Sequence, residues 1–114
     1  MSKYHSKQKV CNQGHKHASI KEKIRCDDLT LMEKAGVIRD LKQQPEFVLQ
    51  DKFKYQGRTI RAIKYRADFS YYDEEKEKYV VEDVKGFLTQ IFRIKKKMFL
   101  KMMKDDKDLE FLET

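Results

Sequence analysis

A long run of alternating apolar and polar side chains, over residues 59–72, constrains the fold of this chain more than any other feature. Because alternation with a period of two places every second side chain on one face, the run predicts one long, half-buried strand. Gln56 and Gly57 supply a turn before it, residues 73–78 supply a polar turn after it, and residues 79–85 form a further strand that ends at Gly86. With shorter strands expected at 47–49 and 53–55, the middle of the chain is predicted to be a β-meander.

Two segments with helical periodicity flank this meander. In residues 19–35, Ser19 and Glu22 fit the capping-box pattern, and Gly36 is a natural helix stop. Residues 89–104 begin with Thr89 as a cap. Apolar residues recur every three to four positions in both helices, and we expect these stripes to face the core. The stripes are Ile20, Ile24, Leu31 and Ala35, with Leu29 and Met32 beside them, and Ile91, Ile94, Met98 and Met102, with Phe92, Phe99 and Met103 beside them.

The order of elements predicts an α+β fold, an α/β sandwich, because helix, strands, helix and strand follow one another. A short hairpin within 7–18, an extended piece at 37–42 and a last strand at 109–112 complete the elements. A length of 114 residues allows one domain, which we place at 9–114 after a flexible basic arm at 1–8. No apolar run is long enough for a membrane span and no signal peptide is visible. The two Cys residues are typical of thiols in a reducing compartment, so we expect a cytoplasmic protein.

The net charge of +7 is distributed unevenly along the chain. Residues 1–25 carry seven Lys and Arg against one acidic residue, and residues 85–104 carry seven against none. The middle, 26–84, is near neutral, with eleven basic and thirteen acidic residues. Two basic segments around a carboxylate-bearing centre are typical of a polyanion binder. The alternative is a domain whose Lys residues only face solvent.

One pair of carboxylates stands out within the meander. In a hairpin centred near residues 75 and 76, Asp68 and Asp83 fall opposite each other, and Asp83 and Lys85 project from the same face of one strand. Two carboxylates at the ends of paired strands, with the Val84 backbone carbonyl, offer oxygen ligands for Mg²⁺. Lys85 would position or deprotonate a water beside the metal. Alone, the pattern D-x-K also fits an ordinary exposed charge pair.

The order and spacing of these residues resemble the PD-(D/E)XK nuclease superfamily. More narrowly, the chain is similar to a phage-encoded group related to archaeal-type Holliday junction resolvases, from about residue 9 to residue 111. The resemblance implies a restriction-endonuclease-like core with a mixed β-sheet. The stretches that carry it are 19–22, 31–36, Gln44-Pro45, 65–69, Val81-Glu82-Asp83-Val84-Lys85-Gly86 and Lys95-Lys96-Lys97.

The resemblance also implies roles for individual residues. Asp68 and Asp83 would be metal ligands, Lys85 the catalytic lysine, and Glu22 an acidic residue that points from the first helix at the metal or its water. Glu22 also fits a purely capping role, and Gln44 either approaches the site or is an ordinary turn residue. Asp83 stands where Glu is commoner, which shortens its reach. The neighbouring Glu82 points to the opposite face and is left out of the site.

The second helix and the N-terminus supply the expected DNA contacts. Arg93, Lys95, Lys96 and Lys97 on the helix, and Lys7 and Lys9 near the N-terminus, would face phosphates. The alternative for the helix is a solvated amphipathic face. The apolar stripe with Met98, Met102 and Met103 is expected in the core, with a dimer face as the alternative.

Cys11, His15, His17 and Cys26 allow a zinc hypothesis, but their spacing matches no common structural zinc pattern. A polar hairpin with incidental His and buried thiols is the favoured interpretation. No P-loop or dinucleotide-binding motif is present, so no organic cofactor is expected.

From this we predict an Mg²⁺-dependent endodeoxyribonuclease, with Mn²⁺ as a substitute metal. The resemblance implies hydrolysis to a 5′-phosphate and a 3′-hydroxyl, on four-way or other branched DNA, in the host cytoplasm if phage-encoded. Two symmetric nicks require a homodimer. The alternatives are a less structure-selective nicking enzyme or exonuclease of the same fold, and a nucleic-acid-binding protein without catalysis.

Overall fold

Twelve elements follow one another in the computed structural model, which describes residues 9–10, 16–17, 19–84, 86 and 89–114, the first two pairs by their backbone alone. Helices and strands are both present and one sheet is mixed, so the predicted α+β class is confirmed. In chain order the elements are β1 (Lys9–Val10), β2 (Lys16–His17), α1 (Ile20–Lys34), β3 (Ile38–Gln43), β4 (Glu46–Gln50), β5 (Phe53–Tyr55), β6 (Arg58–Ile60), β7 (Ile63–Arg66), β8 (Phe69–Asp73), β9 (Lys78–Asp83), α2 (Gln90–Met103) and β10 (Leu109–Glu113).

The meander is dominated by one long hairpin with two interruptions. Its outgoing arm is β3, β4 and β5 and its returning arm is β6, β7 and β8, paired antiparallel throughout. The single strand expected over 59–72 is therefore wrong in detail, because it is broken at 61–62 and at 67–68. The second break has a cause on the other arm, where Gln44 has a positive φ of 48° and Pro45 has no N–H to donate. Only two backbone hydrogen bonds cross there, from Gln44 to Asp68 and from Ala67 to Pro45.

The central sheet has four strands in the order β10-β9-β8-β3, with β10 parallel to β9 and the other pairs antiparallel. Adjacent residues of β9 point to opposite faces, and each face carries its own core. Val80 packs with Cys26 and Leu29 of α1, whereas Val81 packs with Tyr65 and with Phe99 of α2. The sheet is thus sandwiched between the two helices, and β9 is buried on both faces.

Both helices turn a different face to the sheet than their apolar stripes predict. Ile20, Ile24 and Leu31 of α1 are exposed, and its buried face consists of Glu22, Cys26, Leu29 and Thr30. Leu29 and Cys26 of this face belong to the core, and the Thr30 hydroxyl donates a hydrogen bond to the Cys26 carbonyl at 2.8 Å.

The stripe expected in the core of α2 is also largely exposed. Its members Ile91, Ile94 and Met102 face outward, whereas Phe99 is fully buried. The core interpretation is therefore wrong for Ile91, Ile94 and Met102, whereas Met103 packs against the core. Aromatic packing by Phe92 and Phe99 against Tyr65 decides the orientation of the helix.

Within the described residues, no helix is long and apolar enough to cross a membrane. At the N-terminus, β1 and β2 pair antiparallel with Lys9 opposite His17, as the predicted hairpin requires. The basic arm at 1–8 lies outside the described residues.

Candidate functional site

Asp68 lies at the kink between β7 and β8, beside the end of β9. Its backbone N–H donates to the Glu82 carbonyl at 3.1 Å and lies 3.2 Å from Asp83 Oδ1, and its own Oδ2 accepts the Val84 N–H at 2.7 Å. The two aspartates are therefore tied to each other through backbone amides. This is the juxtaposition that the hairpin register predicted, since Phe69 pairs with Glu82.

Asp83 is almost completely buried, on the face that α2 covers. Its Oδ2 accepts the hydroxyl of Tyr65, which is itself fully buried and stacks on Phe99 at 4.9 Å between ring centroids. Burial raises the pKa of Asp83, the Tyr65 hydrogen bond lowers it, the charge of Asp68 raises it, and that of Lys96 lowers it. Tyr65, whose pKa is raised by burial and by this hydrogen bond, acts as a fixed donor to the carboxylate.

Glu22 reaches the same place from the opposite face of the sheet. It lies in the first turn of α1 and is 5% exposed, and its backbone N–H donates to the Ser19 hydroxyl at 3.1 Å. Its carboxyl is close enough to that of Asp68 to raise the pKa of Asp68. The capping role and the site role are thus compatible, because the backbone of Glu22 serves the cap and the side chain serves the cluster.

The Asp68 carboxyl is the most perturbed acid of the site. Its pKa is raised to about 7, first by burial and then by the neighbouring carboxyl of Glu22, while the hydrogen bond from the Val84 amide lowers it. A cation bound at Asp68 would favour its charged form, because an opposite charge nearby stabilises a carboxylate. Asp68 therefore holds a proton more readily than a free aspartate does.

The donor set fits a hard divalent cation, since every candidate ligand is an oxygen. In the described ranges, no three His, Cys, Asp or Glu side chains surround a common point tightly enough to hold an ion as they stand. Rotation of the Glu22 or Asp68 side chain would be needed to close the cluster. Val84 is buried beside Asp68, and its carbonyl stays a predicted ligand.

Several predicted site residues fall outside this description. Lys85 and Lys7 lie outside the described residues, and Lys9 is described by its backbone alone. Cys11 and His15 are likewise outside, and Cys26 is buried in the core beneath α1, with its thiol 3.8 Å from the Gln43 side chain. Core packing of Cys26 supports the buried-thiol interpretation rather than zinc.

A buried ion pair lies behind the site and was not predicted from the sequence. Glu82 points away from Asp83, as expected, and is fully buried. Its carboxylate accepts hydrogen bonds from Arg25 at 2.6 and 3.0 Å, from the Tyr71 hydroxyl at 2.7 Å and from the Thr114 hydroxyl at 2.9 Å. Since the Glu82 carbonyl binds the Asp68 amide, this network also fixes the kink. The feature of the sequence that could have indicated this ion pair was Arg25, a basic residue three positions after Glu22 on α1.

The predicted DNA contacts on α2 are not equivalent. Arg93 and Lys97 are exposed and Lys95 is half-buried. Lys96 instead forms an ion pair with Glu113 and lies 4.9 Å from the centre of the Phe111 ring. Its charge therefore acts on the sheet and on Asp83 rather than on open solvent.

Gln44 approaches the site through its backbone. Its N–H donates to the Asp68 carbonyl at 2.9 Å, whereas its side chain is exposed.

Comparison with known families gives one match. A family model described as "Protein of unknown function (DUF1064)" matches residues 1–111. No curated protein and no solved structure matches the chain significantly.

Proposed function

The chain belongs to the DUF1064 family, described only as proteins of unknown function, and from the geometry of its own site we propose that it is a metal-dependent endodeoxyribonuclease. The observation that carries the proposal is that Asp68 lies beside Asp83 at the end of β9, with its amide nitrogen 3.2 Å from Asp83 Oδ1, and that Glu22 also acts on its carboxyl. Structural carboxylates are normally paired with cations, as Glu82 is with Arg25. The pKa of Asp68 is instead raised by burial and by the neighbouring carboxyl of Glu22, and such a raised pKa is typical of a functional site.

In this proposal Glu22, Asp68 and Asp83 hold the metal, with the Val84 carbonyl beside them. The chemistry that Mg²⁺, or Mn²⁺ in its place, supplies at such a site is stabilisation of charge on a phosphoryl oxygen and activation of a water. Tyr65 keeps Asp83 in one orientation through its hydroxyl, and the Val84 amide does the same for Asp68. Lys85, two residues after Asp83, would orient the attacking water.

The substrate class follows from charge and size. Basic residues dominate the segments on both sides of the site in sequence, which suits binding to phosphates. Contacts to phosphates position a protein without reading a base sequence, so the shape of the DNA is the feature that we propose it recognises. We propose branched DNA, four-way junctions above all, with a homodimer placing two sites for paired nicks in the cytoplasm.

A substrate comparison tests this function. A labelled four-way junction and a linear duplex of the same sequence are incubated with the protein in Mg²⁺ and in EDTA, with Lys85→Ala alongside. Paired nicks in the junction alone, lost in EDTA and in Lys85→Ala, are the expected result. Equal cutting of both substrates would replace the junction with a general DNA substrate. Binding without cutting in Mg²⁺ or Mn²⁺ would overturn the nuclease and leave a DNA-binding protein.

A further inference from the structure

The distal end of the long hairpin forms a two-stranded ribbon, residues 52–61, which we call the basic ribbon. β5 and β6 pair in register, with Phe53 opposite Ile60 and Tyr55 opposite Arg58. Gln56 and Gly57 both have a positive φ, of 49° and 74°, as a two-residue type I′ turn requires. The ribbon is therefore a regular, well-formed element rather than a loose loop.

The basic ribbon projects from the body of the protein. Every residue from 50 to 61 is exposed, on both faces of the ribbon. Among the described elements, β5 and β6 pair only with each other, whereas the strands that lead into them pack against α2. Packing in the protein's own core therefore does not explain which side chains the basic ribbon carries.

Those side chains are of two kinds, and both are unusual on a free hairpin tip. Phe53, Tyr55 and Ile60 are 45%, 62% and 38% exposed, and the register places all three on one face of the ribbon. Clustered apolar groups in water mark an interaction surface more often than isolated ones do. They therefore call for a partner.

The charge of the basic ribbon identifies that partner as an anion. It carries four cations and no acidic residue: Lys52, Lys54, Arg58 and Arg61. Within the part of the chain that the structure describes, none of the four is in an ion pair. The near-neutral total of residues 26–84 conceals this cluster, because the acidic residues of that stretch lie outside 52–61, with Asp51 directly before it.

We propose that the basic ribbon enters the major groove of a duplex arm of the DNA that the site cleaves, an inference that rests on the proposed function. A major groove about 12 Å wide admits a two-stranded ribbon. Its apolar face would contact base edges such as thymine methyl groups, and its cations would contact the flanking phosphates. The ribbon thus adds a third basic segment to those at 1–25 and 85–104.

The spacing between the basic ribbon and the site sets where this contact falls. Arg58 and Asp68 lie ten residues apart along one arm of the hairpin, at most about 33 Å at roughly 3.3 Å per residue. One turn of B-DNA is about 34 Å, or about ten base pairs. The ribbon would therefore hold a duplex arm up to one helical turn from the cut.

Variants in which two basic residues are replaced by Gln test the proposal. Binding is measured in EDTA, so that cleavage does not interfere. Affinity for a fluorescent junction is measured by anisotropy over a range of salt for the wild type, for Lys54→Gln with Arg58→Gln, and for a control, Lys34→Gln with Lys107→Gln. The control removes the same charge at exposed positions away from the ribbon. We expect the ribbon variant to flatten the slope of log K against log salt by about 2, since each lost phosphate contact contributes about 0.9. The control should leave the slope unchanged.

Two further measurements make the test more specific. Tyr55→Ala should weaken binding severalfold without changing the slope, because it removes an uncharged contact. A junction whose duplex arms are shortened step by step should lose the difference in affinity between the wild type and the ribbon variant once the arms no longer reach the ribbon.

The outcomes separate this proposal from the nuclease itself. Equal affinity and slope for the ribbon variant and the control would overturn the ribbon contact, whether or not the protein cuts DNA. Binding to vesicles of anionic lipid, without binding to DNA, would also overturn it. Ribbon-dependent DNA binding without cleavage in Mg²⁺ or Mn²⁺ would keep the ribbon contact and overturn the nuclease.

Discussion

At the scale of single residues, the site depends on which group lies next to each carboxylate. Glu82 is balanced by Arg25, Asp83 is held by Tyr65, and Asp68 is left against Glu22. The position of Asp68 beside Asp83 could be predicted, because the turn at 73–78 fixes the register of β8 and β9. The roles of Arg25 and Tyr65 could not, because they depend on the way α1 and α2 seat on the two faces of the sheet.

The raised pKa of Asp68, caused by burial and then by Glu22, should make the metal-free protein less stable at high pH. Asp68 has a pKa of about 7 in the folded protein and 3.8 as a free side chain, so the folded state binds more protons between these values. The free energy of unfolding therefore falls as the pH rises from about 4 to about 7. Asp68→Asn keeps an acceptor for the Val84 amide and a donor for Glu22 but does not titrate. At pH 8 in EDTA we expect it to be about 1–2 kcal/mol more stable than the wild type, after allowance for solvent screening.

Urea unfolding at pH 4 and pH 8 checks this prediction, with Asp28→Asn, an exposed carboxylate on the same helix as Glu22, as the control. The advantage of Asp68→Asn should disappear at pH 4. A variant less stable than the wild type at pH 8 would show that the carboxyl pair is not strained.

Arg25 and Arg39 offer a contrast between a buried and an exposed ion pair. Arg25→Ala leaves the fully buried Glu82 without its cation, which should cost about 3–5 kcal/mol of unfolding free energy. Arg39→Ala breaks an exposed pair with Glu74 and should change stability little. Thermal unfolding of both variants measures the difference, and equal losses would mean that Glu82 is not held by Arg25.

At the scale of elements, β9 organises the molecule, because Glu82 and Asp83 face opposite helices from adjacent positions. The order and approximate bounds of the helices and strands could be predicted from periodicity and turn residues. The buried faces of α1 and α2 could not, because apolar residues occur around both helices and tertiary packing chose the faces with Cys26 and Phe99. The kink at Asp68 could not be predicted either, because its cause lies in Gln44 and Pro45 on the other arm of the hairpin.

The orientation of α2 can be tested with two apolar residues of one helix. Phe99 is fully buried and contacts the rings of Tyr65 and Phe47, whereas Ile94 is 50% exposed. Phe99→Ala should cost about 3–5 kcal/mol, and Ile94→Ala less than about 0.5 kcal/mol. Chemical denaturation measures both values. A larger loss for Ile94→Ala would restore the stripe of Ile91, Ile94 and Met98 to the core.

At the scale of the whole molecule, the carboxylates of the site and the basic surfaces proposed for DNA occupy separate places. Asp68 and Asp83 lie where β9 ends between the two helices, whereas the proposed phosphate contacts lie on the basic ribbon and on exposed positions of α2. Attraction of DNA phosphates to the outer surface and binding of a cation at the centre are then independent steps. We therefore expect DNA binding to persist in EDTA and cleavage to require the metal.

The rate of single-turnover cleavage in Mg²⁺ tests the central claim most directly. A labelled four-way junction is mixed with excess wild type, Asp68→Asn or the control Asp28→Asn, under conditions in which all three bind it fully. If the cluster of Glu22, Asp68 and Asp83 is the catalytic centre, Asp68→Asn should cut at least about a hundredfold more slowly than the wild type, since a metal ligand is lost. Asp28→Asn should cut at the wild-type rate. Cleavage by Asp68→Asn at the wild-type rate would contradict the account and place the chemistry elsewhere.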